Sequence, residues 1–109
     1  MAYDEELAER IRTALAGREE VTERKMFGGL AFMLGGRMCC GVVKDELMVR
    51  LGPERAEEAL RRPHTRPMDF TGRPLKGFVF VASEGVGSDD AVRRWVQEAA
   101  DVAASLPRR

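Results

Sequence analysis

The sequence holds few of the side chains on which metal and cofactor chemistry depends. It has two cysteines and one histidine in 109 residues. A structural zinc site usually takes four sulfur or nitrogen ligands, so these side chains are too few to form one. The cysteines are neighbours, Cys39 and Cys40, and cannot join distant segments as in a secreted disulfide scaffold. We therefore expect neither a metal nor a cofactor.

The chain also lacks a net charge, because 18 Lys and Arg residues balance 18 Asp and Glu residues. No overall field draws it onto DNA or an anionic membrane, so any nucleic-acid contact needs a local basic patch. No apolar run approaches the roughly 20 residues of a membrane span. The acidic N-terminus lacks the basic and apolar pattern of a signal peptide. These absences predict a cytoplasmic protein without a membrane partner.

What the sequence does contain is the patterning of a single α+β domain over residues 1–109. Helical spacing of apolar residues marks three segments, residues 4–16, 53–62 and 88–106. Apolar runs between turn residues mark strands within residues 30–50, 66–70 and 77–81. The predicted order is helix, three-stranded antiparallel meander, helix, two strands and helix, with residues 18–23 as a charged connector.

The pair Gly35 and Gly36 is the predicted turn of the first hairpin of the meander. Lys44 and Asp45 form the predicted two-residue turn of the second hairpin. Together the turns set the register of the three strands. The predicted pairs are Leu34–Arg37, Phe32–Cys39, Ala31–Cys40, Cys40–Val49 and Cys39–Arg50.

This register sorts the side chains of the meander onto two faces, as is common in antiparallel sheets with one packed face. The face expected in the core comprises Ala31, Met33, Met38, Cys40, Val42, Leu47, Val49 and Leu51. The other face, of mixed polarity, comprises Phe32, Leu34, Arg37, Cys39, Gly41, Val43, Glu46, Met48 and Arg50. We expect the mixed face to meet a partner.

The adjacent thiols invite a chemical interpretation. Neighbouring residues of a strand point to opposite faces, so the two thiols are not expected to share a metal ion. Cys39, opposite Arg50, is a candidate for a lowered thiol pKa and a redox response. The alternative is that both are packing residues, since free cysteine is commonly a buried hydrophobe.

No catalytic motif accompanies these features. His64 and Asp69 form the one acid–base pair on offer, and no activated nucleophile is placed near them in the sequence. A solvated loop histidine is the favoured interpretation. The pair Gly28 and Gly29 lacks the ending of a phosphate-binding loop, which favours turn and close-packing roles. We expect a protein that is not an enzyme.

Basic residues at strand ends and on the mixed face are the candidates for partner binding. They are Arg24, Lys25, Arg37, Arg50, Arg73 and Lys76. Basic and aromatic side chains together on a sheet are typical of several single-strand nucleic-acid binders. The zero net charge favours instead a solvated edge whose charges pair internally. The same face also suits a protein–protein contact or a homodimer.

Seven features follow one another along almost the whole chain. They are RKMFGG (24–29), MCCGV (38–42), MVRLG (48–52), RRP (61–63), MDFTGRP (68–74), KGFV (76–79) and Trp95. In this order they resemble the N-terminal domain of the TfoX/Sxy family of competence regulators. The resemblance implies an α+β domain similar to the secretion-chaperone-like fold, with helices packed on an antiparallel sheet.

The resemblance implies regulation rather than catalysis. Full-length regulators of this family carry a second, C-terminal domain and are described as transcriptional co-activators; we expect this chain to be a stand-alone N-terminal domain. The basic positions that match the motifs are Arg24, Lys25, Arg50, Arg73 and Lys76. The leading hypothesis is a non-enzymatic regulatory interaction domain that contacts a protein or nucleic-acid partner through the mixed face, with a transcription regulator among the protein partners that the resemblance implies. The alternatives are a direct DNA-binding regulator and a redox-responsive thiol protein that uses Cys39.

Overall fold

A computed structural model describes residues 3–26, 28–69 and 74–105. Its helices and strands follow one another as α1 (Glu5–Ala14), β1 (Val21–Met26), β2 (Gly29–Leu34), β3 (Arg37–Val43), β4 (Glu46–Arg50), α2 (Pro53–Ala59), β5 (Thr65–Asp69), β6 (Pro74–Val81), a 3-10 turn (Ser83–Val86) and α3 (Asp89–Ser105). The strands form a six-stranded sheet in the order β1-β2-β3-β4-β6-β5, and all neighbours are antiparallel. The predicted α+β class is confirmed, and the predicted elements follow one another in the predicted order, with one further strand, β1, before the meander.

The two longer helices begin where side chains cap free backbone amides. The Asp4 carboxylate accepts hydrogen bonds from the amides of Glu6 and Leu7, at 2.9 and 3.2 Å. The Ser88 hydroxyl accepts one from the amide of Ala91, at 3.1 Å. Such caps satisfy donors that have no partner within the helix. Helix α2 begins instead with proline at its first position, where no amide hydrogen is needed.

The core lies between one face of the sheet and the helices. Helices α1 and α3 contribute their apolar stripes, and α2 contributes two alanines. The sheet contributes Leu30, Phe32, Leu34, Cys39, Cys40, Val42, Leu47, Val49, Val79 and Val81. No residue of the described helices joins the apolar cluster on the other side of the sheet. We call that second side the helix-free face.

Strand β1 corrects the prediction of a charged connector over residues 18–23. The strand runs along the edge of the sheet beside β2. Its residues Thr22 to Lys25 are exposed, and Val21 alone is known to pack against the core. An edge strand with so few apolar positions carries no period-two signal, so the pattern that reveals buried strands missed it.

A β-bulge corrects the predicted register of the first hairpin. Leu34 still lies opposite Arg37, but Phe32 lies opposite Cys40, which leaves Cys39 as the extra residue. The predicted pairs Phe32–Cys39 and Ala31–Cys40 are therefore wrong. In the second hairpin Cys40 lies opposite Val49, as predicted.

The bulge exchanges the two faces of β2. Leu30, Phe32 and Leu34 belong to the core beneath the helices, whereas Ala31 and Met33 alternate with them and face the other way. Met38, expected in the core, packs in the cluster on the helix-free face. One residue of slip inverts a strand in this way because side chains alternate with a period of two.

Candidate interaction surface

The helix-free face is organised by a row of side chains that crosses all six strands. Successive cross-strand partners in this row are Arg24, Ala31, Gly41, Met48, Phe80 and Arg66. Partners directly opposite one another in an antiparallel ladder share a face. Six strands about 4.8 Å apart give the row a length of about 24 Å. An arginine therefore stands at each end of an apolar centre.

The apolar centre is a small cluster of its own. Met48 and Phe80 are only 1% and 2% exposed, respectively. Met38, Val43 and Phe78 pack against them and remain half-buried. The cluster thus has a buried floor and a rim of partly exposed apolar side chains. Such a surface can bury more apolar area when a partner covers it.

Arg66 closes the β5 end of the row. Its guanidinium lies over the Phe80 ring, 4.6 Å from the ring centroid. It is also paired with Glu46, to which its Nε donates a hydrogen bond at 3.3 Å. Stacking and ion pairing hold the side chain in place at the same time. Arg66 therefore covers one face of the only aromatic ring in the buried floor of the described cluster.

Two of the predicted basic residues share this face. Arg24 is exposed on β1, and Arg50 is half-buried on β4 opposite Phe78. They stand three strands apart, about 14 Å at ordinary strand spacing. Neither has an ion-pair partner among the residues that the structure describes. Arg24 and Arg50 thus place two positive charges on this face that no described carboxylate neutralises.

The other predicted basic residues do not join them. Lys25 lies opposite Leu30, and Arg37 lies opposite Leu34, so both belong to the side of the sheet that carries the helices. The expectation that Arg37 shares a face with Arg50 is therefore wrong. Arg73 lies outside the described residues, and Lys76 is described only as part of the β6 backbone.

Both cysteines lie in the core, each 0% exposed. The bulge accounts for this arrangement, because the extra residue breaks the alternation that would send neighbours to opposite faces. The expectations that Cys39 lies on the partner-facing surface, and that the two thiols divide between faces, are wrong. Both thiols are free.

The two thiols also interact. The Cys40 thiol donates a hydrogen bond to Cys39, which lowers the pKa of Cys39; burial opposes this shift, and the positive charge of Arg18 assists it. The same hydrogen bond, together with burial, raises the pKa of Cys40 well above its ordinary value. Arg18 is held by Gln97 and Asp101 of α3, at 2.9 and 2.7 Å. The charge near Cys39 therefore comes from Arg18 rather than from Arg50.

The remaining chemical candidates give no further constellation within the described residues. His64 is exposed in the turn before β5, and the side chain of Asp69 lies outside the described part. Among the residues described, no three His, Cys, Asp or Glu side chains are placed to hold a metal ion. No described helix is both long and apolar enough to cross a membrane.

Sequence reasoning missed Arg66 as a member of the surface. The signal was present in β6, where Phe78 and Phe80 alternate with Val79 and Val81 and so share a face. Pairing β5 to β6 places Arg66 opposite Phe80. That pairing could not be read from the sequence, because β5 and β6 also contain a register shift between Pro67 and Asp69.

Comparison with models of known protein families gives a match over most of the chain. A family model described as the TfoX N-terminal domain matches residues 13–103. This range contains all six strands, α2 and most of α3. No curated protein and no solved structure matches the chain.

Proposed function

The chain belongs to the TfoX N-terminal domain family, and we propose that it acts by binding a protein partner through the helix-free face. At the level of the family it is a competence-related regulatory domain. A regulatory domain without catalytic chemistry needs a surface that recognises another molecule. The helix-free face is the part of the described structure that offers one.

The single observation that supports this proposal is the combination of half-buried apolar side chains with unpaired arginines on one face. Met38, Val43 and Phe78 are partly exposed, and Arg24 and Arg50 flank them without ion-pair partners in the described structure. Apolar centres with a charged rim are typical of protein interfaces. The arrangement supports binding rather than catalysis.

The groups with shifted pKa values support the same interpretation. Strongly shifted groups gather at active sites when they serve catalysis. Here the shifts belong to surface ion pairs, such as Arg12 with Glu23 and Arg62 with Glu98, and to two buried thiols. Hydrogen bonds between paired side chains, together with burial at the two thiols, account for these shifts, which supports the proposal of a binding domain rather than an enzyme.

The proposal is tested by reversing the charge of the face. The double variant Arg24→Glu/Arg50→Glu should lose the proteins that the native domain captures from the lysate of its own cells, since like charges oppose the partner. A matched control is Arg55→Glu/Arg61→Glu, which changes the net charge equally on exposed residues in and after α2. Circular dichroism confirms that both variants fold.

Two results would contradict the proposal. One is an unchanged set of captured proteins from the charge-reversed variant. The other is tight binding of duplex DNA that weakens steeply with added salt, which is the signature of phosphate contacts and would favour the direct DNA-binding alternative.

A further inference from the structure

We propose that the helix-free face binds an acidic, amphipathic segment of a partner protein. This inference rests on the proposed function and adds the chemistry of what is bound. It is carried by the juxtaposition of Met38, Val43 and Phe78 with Arg24, Arg50 and Arg66 on one surface.

The charge of the face specifies the sign of the partner. Its described side chains include three arginines and one glutamate, Glu46. Glu46 is already paired with Arg66, so Arg24 and Arg50 leave a positive excess. A chain with zero net charge has therefore collected uncompensated positive charge on its helix-free face. Complementary interfaces place negative charge opposite such a surface.

The apolar side chains specify that the partner is also amphipathic. Methionines contribute prominently, since Met33 and Met38 are half-buried and Met38 packs against the buried Met48. Methionine is unbranched and adapts its shape to an incoming apolar surface, which suits it to recognising helices of varied sequence. An acidic segment with no apolar stripe would leave these side chains uncovered.

The aromatic rings disfavour a nucleic acid. Single-stranded nucleic acids bind by stacking bases on exposed aromatic faces. Phe32, which was expected on this surface, lies in the core at 0% exposure, and Arg66 covers Phe80. Phe78 alone among the described rings of this face is even half-exposed. Within the described residues this face therefore presents a single partly exposed ring rather than a row of rings for stacking.

The dimensions fit about four helical turns. The row from Arg24 to Arg66 is about 24 Å long, and a helix rises 1.5 Å per residue, so about 16 residues span it. A helix of that length can lay an apolar stripe on Met38, Val43 and Phe78. Its acidic side chains then reach the arginines on either side.

The test uses a synthetic helical probe and the intact chain. The probe is a fluorescein-labelled peptide of about 18 residues with leucine and phenylalanine on one face and glutamate on the other. Fluorescence anisotropy should show saturable binding to the native protein. Arg24→Glu/Arg50→Glu should weaken that binding at least about tenfold, whereas the control Arg55→Glu/Arg61→Glu should change it less than about twofold.

Charge reversal of the probe completes the test. A second peptide with lysine in place of every glutamate should bind the native protein poorly and the Arg24→Glu/Arg50→Glu variant well. Equal binding of the two peptides to the native protein overturns the inference, as does no binding of the acidic peptide. Tighter binding of an oligothymidylate, abolished by the same double variant, overturns it in favour of nucleic acid.

These outcomes separate the inference from the proposed function. If the double variant loses its captured proteins but the acidic probe does not bind, the face binds a partner of other chemistry. If capture is unchanged, the proposed function itself is wrong.

Discussion

Arg12 and Glu23 join helix α1 to the edge strand β1 through two parallel hydrogen bonds. The Arg12 Nε donates to one carboxylate oxygen at 2.6 Å, and Nη2 donates to the other at 2.8 Å. This fork matches guanidinium to carboxylate geometry and lowers the pKa of Glu23. It also ties a strand with little apolar surface to the body of the domain.

We expect this pair to make stability depend on acid. Because the folded pKa of Glu23 lies below its ordinary value of 4.5, the unfolded chain binds a proton more readily than the folded chain. The contribution is present above pH 4.5 and is lost as pH falls through the folded pKa. Glu23→Gln should lower the free energy of unfolding by at most about 1 kcal/mol at pH 7, because the side chains of Arg12 and Glu23 are both more than a third exposed.

The measurement is urea unfolding of Glu23→Gln and the native chain at pH 7 and near pH 3. The difference between them should shrink at the lower pH. Glu5→Gln is the matched control. It removes the same negative charge, but from α1, where Glu5 has no ion-pair partner among the described residues. A difference that persists at low pH would show that the pair does not act through the charge of Glu23.

Gly29 should be intolerant of any side chain. A Cβ atom at this position would lie 2.1 Å from the carbonyl oxygen of Val42 on β3. Backbone cannot move aside as a side chain can, so the hairpin must open. Gly29→Ala should lower the free energy of unfolding by at least about 2 kcal/mol.

Thermal or urea unfolding measures the change, with Gly87→Ala as the control. Gly87 has a negative φ of −74°, and a Cβ atom there meets nothing within 4 Å. That variant should change stability by less than about 1 kcal/mol. Equal effects of the two substitutions would mean that β2 and β3 are not packed as closely as described.

Cys39 should alkylate before Cys40, and its reactivity should depend on its neighbour. The hydrogen bond from Cys40 lowers the pKa of Cys39, so its thiolate forms at a lower pH than that of an ordinary thiol. Cys40→Ala removes the donor and should shift the pH profile of Cys39 alkylation upward. Cys40→Ser keeps a donor and should shift it less.

The profile is measured with iodoacetamide, quantified by mass spectrometry of the peptide that contains the reacted cysteine. Because both thiols are buried, the rate should rise when a low concentration of urea promotes opening. A profile that is the same in the native protein and in Cys40→Ala would refute the thiol–thiol hydrogen bond. It would also remove the basis for the redox hypothesis for Cys39.

The sequence predicted those parts of the fold that local chemistry controls. Helix α3 follows from its capping serine and the regular spacing of Val92, Val96, Ala99 and Ala103. The hairpin pair Leu34–Arg37 follows from a two-residue glycine turn. In each case the deciding residues are close in sequence.

The parts that it did not predict depend on contacts between distant segments. Strand β1 is held by its ladder to β2 and by Arg12 of α1, neither of which is visible in a local pattern. The bulge at Cys39 allows both thiols to pack beneath the helices. No residue type at that position predicts a bulge. For the same reason the predicted surface includes Phe32 and Cys39, which lie in the core, and omits Arg66, which lies opposite Phe80.

The two borders of the sheet bear on how the domain meets other molecules. On β1 the outermost residues include Glu23, Arg24 and Lys25, and on β5 the chain carries Pro67, which has no amide hydrogen. Charges and proline at sheet borders discourage the addition of another strand. Fibre growth and strand exchange between copies are therefore disfavoured, even though none of the described helices covers the small apolar cluster of the helix-free face.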